Sequence, residues 1–192
     1  MNDLVWIQTA FFVALVAVLG LIPPIPFMFG VPITAQTLGV MLAGLLLGPR
    51  LGAMAMLLFM ALVLLGLPLL SGGRGGLGVL AGPTVGFFLA WPFAAALTGW
   101  VAQRLSRLPI TMASSIAATL GGIVVVYAFG IAGLHWVAQM PLLQASLVVW
   151  VFVPGDLVKV GLASLLTAAV FRALPHQVRS RQQPVKTHPE QG

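Results

Sequence analysis

Runs of apolar residues, each close to the thickness of a bilayer and each cut by proline, glycine or arginine, constrain this chain more than any other feature. A hydrocarbon core of about 30 Å asks for roughly 20 apolar residues in a spanning helix. Six segments of this kind are separated by their breakers, at about 5–22, 34–48, 51–67, 83–103, 112–134 and 145–171. Four prolines and a glycine in "LIPPIPFMFGVP" end the first, because proline has no N–H to give and fixes its own φ. "GPRLG" joins the second to the third. Five glycines between Gly72 and Gly78 follow the third and disfavour helix through their conformational entropy. Arg107, Leu108 and Pro109 close the fourth, and "HWVAQMP" divides the fifth from the sixth. The expectation is an all-α integral membrane protein of six transmembrane helices. Residues 1–171 form the membrane domain, and 172–192 a basic cytoplasmic tail without fixed structure. No internal repeat and no separate soluble domain is visible.

Composition agrees. Of 192 residues 60% are hydrophobic and only 6% charged, where a soluble domain carries about a quarter, and the mean hydropathy is +1.09. The first segment has neither a basic leader nor a small-residue cleavage site, and reads as a retained helix. There is no cysteine, which excludes disulfides, thiol catalysis and thiolate metal sites. The net charge of +6 is topological: four of the nine bases (Arg172, Arg179, Arg181 and Lys186) sit in the tail. No basic stripe interleaves with aromatics as nucleic-acid binding would need. With the N-terminus inside, Arg50, Arg104, Arg107 and the tail bases all face the cytoplasm, seven of nine. The positive-inside rule therefore orients the chain N-in and C-in, in the cell membrane. The two bases left over are Arg74, in the outward glycine loop, and Lys159, inside a span.

Between Val5 and Phe171 the only acid is Asp156. A carboxylate at membrane depth is costly and by default functional. Lys159, at i,i+3, shares its helix face, and Pro154 and Gly155 open or kink the backbone beside the pair, as in broken-helix binding sites. One reading makes the pair a buried helix lock. The other makes Asp156 an acceptor for substrate N–H groups, with Lys159 orienting it or meeting a substrate anion. Arg74, flanked by Gly72, Gly73, Gly75 and Gly76, is either a solvated loop arginine or a ligand contact. Gln36 is either an interhelical bond or a ligand contact, and Thr34 a helix cap. Ala10 and Ala14 share a face of the first segment, a small-xxx-small spacing that permits close helix approach. Gly44, Gly48 and Gly52 have the same spacing and read as internal packing, as do Met54, Met56 and Met60.

Enzyme readings lack machinery. No HExxH is present; His135, His176 and His188 fall outside the six segments; and aspartyl proteolysis needs two acids where the spans hold one. Neither a Walker motif nor a dinucleotide fingerprint in a βαβ context occurs.

Three strings, "VPITAQTLGVMLAGLLLGPRLGA", "GLPLLSGGRGGLGVLAGPTVGFFLAWP" and "VPGDLVKVGLAS", resemble in order and spacing the BioY family of biotin-specific S components of energy-coupling factor (ECF) transporters. The similarity runs from about Ala10 to Phe171. It implies a six-helix S-component bundle that takes biotin from the outer face into a pocket of outward loops and later helices, with Asp156 and Lys159 in the site. It also implies ECF partners, a transmembrane coupling subunit docked on the face of Ala10 and Ala14 and ATP-binding cassette subunits that hydrolyse ATP, with no cofactor or metal of the chain's own. Phe87 departs from the family pattern, which has tyrosine after the Gly-Pro-Thr string. An acceptor suits the ureido N–H groups of biotin and a cation, Arg74 or Lys159, its carboxylate tail. The alternatives are an S component for another small compound and a structural membrane protein whose Asp-Lys pair only packs.

Overall fold

The computed structural model describes residues 3–26 and 31–174. Apart from two isolated antiparallel bridges, these residues form helices and their connections. Helix α1 is Asp3–Gly20, α2 Gln36–Leu64, α3 Val85–Arg104, α4 Ile110–Thr119 and α5 Val126–Trp136. The last two are joined by a π-helical stretch, Leu120–Val125. Helix α6, Leu142–Val149, passes through a 3-10 turn, Trp150–Phe152, into α7, Val153–Ala173. Five helical lengths are long and apolar enough to cross a membrane: Asp3–Gly20, Gln36–Leu64, Val85–Arg104, Ile110–Trp136 and Leu142–Ala173.

Helix α2 is a hairpin and not a rod. Gly48 has φ 81° and ψ −178°, a conformation essentially closed to residues with a Cβ, and Pro49 follows it. A Cβ on Gly52 would lie 3.0 Å from the Ala43 carbonyl oxygen, and Gln36 at one end bonds Leu69 and Ser71 just beyond the other. A straight helix would hold those ends about 40 Å apart. The two arms correspond to the segments expected at 34–48 and 51–67.

Helix α3 lies at the centre and α1 at the edge: 67% of the apolar stretch of α3 is buried, against 28% for α1. Small residues let the backbones close in. A Cβ on Gly44 would reach the Ala95 carbonyl at 2.5 Å, and one on Gly99 the backbone of Gly48 at 2.5 Å. Gly44 and Gly52 pack internally as expected, and Met56 and Met60 are core residues, but Met54, expected to pack with them, is exposed. Outward, the helices present Leu57, Leu65, Leu143 and Leu165, all more than half exposed, a surface suited to acyl chains. Two buried hydroxyls of α7 bond within the helix or across to a neighbour: Thr167 to the Ala163 carbonyl at 2.7 Å, and Ser164 to the Thr111 carbonyl of α4 at 2.8 Å.

Several expectations need correction. Gly78 is helical after all, inside a short 3-10 helix at Leu77–Ala81. Thr34 does not cap α2, whose first turn has no side-chain cap. His135 sits in the last turn of α5, where Nδ1 lies 2.9 Å from the Met140 carbonyl and ties down the following loop. Arg172 still belongs to the last turn of α7. The rest of the expected tail, with His176, Arg179, Arg181, Lys186 and His188, lies outside the described residues.

Candidate substrate-binding site

The 3-10 turn before α7 lets Pro154 occupy the first turn, where its missing N–H is no loss. That places Asp156 in the same turn, 5% exposed. Lys159, one turn on, donates to Asp156 Oδ1 at 2.7 Å and to Thr37 Oγ1 of α2 at 2.9 Å. Tyr127 of α5 donates its hydroxyl to Asp156 Oδ2 at 2.6 Å. The Asp156–Lys159 pair thus joins three helices, the carboxylate reaching α5 and the ammonium α2. Each carboxylate oxygen has one donor and keeps acceptor capacity for another.

At the mouth of the same cleft stands Arg74. An antiparallel bridge between Leu70 and Arg74 closes a turn through Gly72 (φ 80°) and Gly73 (φ 69°), a backbone path that only glycine follows without strain. Arg74 Nε donates to the Ser71 carbonyl at 3.3 Å and Nη1 to Thr84 Oγ1 at 3.3 Å. Partial burial draws its pKa below the ordinary arginine value, and a guanidinium stays cationic there. These two bonds leave further N–H groups of the guanidinium fork for another acceptor.

The cleft between these groups is half open, and its empty space, counted out into solvent, comes to about 630 Å³. Its walls are mainly apolar, with Phe87 and Phe152 meeting edge to face at 6.1 Å. Of the residues singled out in the sequence, Asp156, Lys159, Arg74, Gln36 and Thr34 all line it. Gln36, 1% exposed, commits its amide to the backbone: Nε2 donates to the Val16 and Leu69 carbonyls at 3.1 and 3.0 Å, and Oε1 accepts from Ser71 N–H at 2.9 Å. It braces the loop that carries Arg74, as the interhelical reading had it. Ala10 and Ala14 lie away from the cleft, on the exposed face of α1.

Tyr127, Thr37, Thr84 and Trp91 also line the cleft, and sequence reasoning did not select them. Tyr127 had a signal: it is the only tyrosine of the chain, inside a span that needs a reason for a phenol. Among the described residues no cluster of His, Asp or Glu could hold a metal.

The BioY family model matches residues 1–176. Among curated proteins, the chain is similar to the biotin transporter BioY of Rhodobacter capsulatus, 48% identical over 88% of this chain and 94% of that one. It resembles that of Rhizobium etli at 49% identity, with the same shares covered. Among solved structures it is similar to the S component for biotin from an ECF-type ABC transporter, with TM-score 0.84 and 33% identity over 90% of this chain and 95% of the other. This chain belongs to the BioY family.

Proposed function

We propose that the chain is the biotin-binding S component of an ECF-type transporter, a membrane subunit and not an enzyme, which captures biotin from the outer side and releases it inward when coupled to ATP-hydrolysing partners. The observation that carries this reading is the Asp156 carboxylate, held at membrane depth by Tyr127 and Lys159 and facing an apolar cleft. A free acceptor position beside a fixed carboxylate suits a ureido N–H, and a site built to bond a polar group rejects analogues without it. The fused rings fill the apolar walls, and the valerate carboxylate meets Arg74 at the mouth. Lys159 orients Asp156, to which it is already bonded, and Gln36 acts on the ligand only through the loop it braces.

The finer topology belongs to the same proposal. Counting the arms of α2 separately makes six membrane crossings, with both termini cytoplasmic and 172–192 as a basic tail. Ala10 and Ala14, exposed on α1, form the seat of the transmembrane coupling subunit. The test is calorimetric titration of the purified, detergent-solubilised protein with biotin against a panel of other small vitamins. Saturable binding of biotin alone supports the assignment. Binding of another compound in preference, or of none, overturns it.

A further inference from the structure

Trp91 is 5% exposed, lines the cleft, and its indole Nε1 is buried with no hydrogen-bond partner among the described residues. Its ring is wedged between Phe59 and Phe88, at centroid distances of 5.5 and 5.7 Å, so it cannot swing out to find one cheaply. A buried N–H left unpaired is destabilising, and native structures tolerate it mainly where something else satisfies it. Nε1 is a donor only, so whatever satisfies it brings an acceptor.

Position along the helices says which acceptor. Helices α3 and α5 are antiparallel: Gly86 abuts Gly133, and Phe87 lies over Gly130. Continuing that pairing one turn further brings Trp91 to the level of Val126 and Tyr127, and both line the same cleft. Tyr127 is bonded to Asp156, so Trp91 lies at the depth of the carboxylate. Thr84, which accepts from Arg74, is seven residues earlier in the chain, about 10 Å nearer the mouth. A tail carboxylate held by Arg74 is therefore remote from Trp91, and the ring head held by Asp156 is near.

We propose that Trp91 is a further ligand-binding and specificity-determining residue, whose indole N–H donates to the ureido carbonyl oxygen while Asp156 accepts from the neighbouring ureido N–H. This rests on the reading of the cleft as the biotin site. Donor and acceptor side by side at the floor of the cleft match the alternating edge of a cyclic urea. The indole donor disfavours 2-iminobiotin at neutral pH, where the carbonyl is replaced by a protonated imine that only donates.

Two measurements test this. Titration of Trp91→Phe is expected to weaken biotin binding roughly five- to thirtyfold, the loss of one buried hydrogen bond, and to narrow the preference for biotin over 2-iminobiotin. The second uses full-length protein in which Trp6, Trp100, Trp136 and Trp150, all at least 46% exposed, are changed to Phe, leaving Trp91 as the only 15N-labelled indole. Its N–H resonance is expected to move to lower field and to exchange more slowly with solvent when biotin is added. If Trp91→Phe does not fold, this second readout decides. Undiminished biotin affinity and unchanged discrimination in Trp91→Phe, or an indole signal indifferent to biotin, overturns the assignment while leaving the site intact. Failure of the wild-type protein to bind biotin overturns both.

Discussion

At the residue scale the site turns on how a carboxylate is kept at membrane depth. Asp156 has one donor from its own helix, Lys159, and one from α5, Tyr127, so its two oxygens are pinned in direction as well as neutralised. Asp156→Asn keeps the size but replaces one acceptor oxygen by a donor NH₂ aimed at donors. Biotin affinity is expected to fall at least tenfold, about 1.4 kcal/mol, in a protein that still inserts, as read by calorimetric titration. Tyr127→Phe removes only the clamp, and a loss of roughly three- to tenfold is expected from the freed rotation of the acceptor. Because Tyr127 acts through Asp156, the two changes combined should cost less than their sum, whereas an independent ligand contact from Tyr127 would make them additive. Asp156, Lys159 and Arg74 could be found in the sequence because charge in an apolar background is a local signal. Tyr127 and Thr37 could not be assigned to them, since 29 and 122 residues separate the bonded partners. Gln36 left its two readings open for the same reason: its amide faces carbonyls that only the tertiary fold brings near.

At the scale of elements, the apolar runs were legible to within a few residues because length, proline and glycine are properties of the segment itself. What escaped was the character of the breaks: the π-helical Leu120–Val125, the 3-10 turns, and the helical place of Gly78 all depend on neighbours. The α2 hairpin tests how much of the fold one backbone conformation carries. At Gly48 any Cβ meets a strained φ, so Gly48→Ala is expected to lower stability by about 1–3 kcal/mol, read as a drop in thermal midpoint in detergent. Gly161, on an exposed face of α7 where an added methyl group would find open space within 4 Å, is the control. Gly161→Ala should be neutral or slightly stabilising, since alanine is the better helix former. Equal losses at both positions would mean that the hairpin is not set by Gly48.

At the scale of the whole molecule, the proposed function asks two faces to work without interfering: a cleft that holds ligand and an edge helix that meets a partner. Helix α1 suits the second role, being the least buried of the five, and a bulky residue there alters its outer surface without entering the cleft. Ala14→Trp is therefore expected to abolish co-purification of the coupling subunit while leaving biotin affinity within about twofold; a loss of binding instead would place α1 in the ligand site. Orientation rests on charge. Arg104 is the last residue of α3 and Arg107 follows it, and Arg50 lies at the same end, because Gly99 packs on Gly48; the loop of Arg74 is at the opposite end. A cysteine-free chain allows each end to be marked singly, at exposed positions: Gly78→Cys in the glycine loop and Arg107→Cys beyond α3. In intact cells a membrane-impermeant maleimide should label the first and reach the second only after permeabilisation. The reverse pattern would invert the molecule and turn the open mouth toward the cytoplasm, where no ligand arriving from outside could enter it; labelling of both in intact cells would show that these loops do not lie on opposite sides of the bilayer.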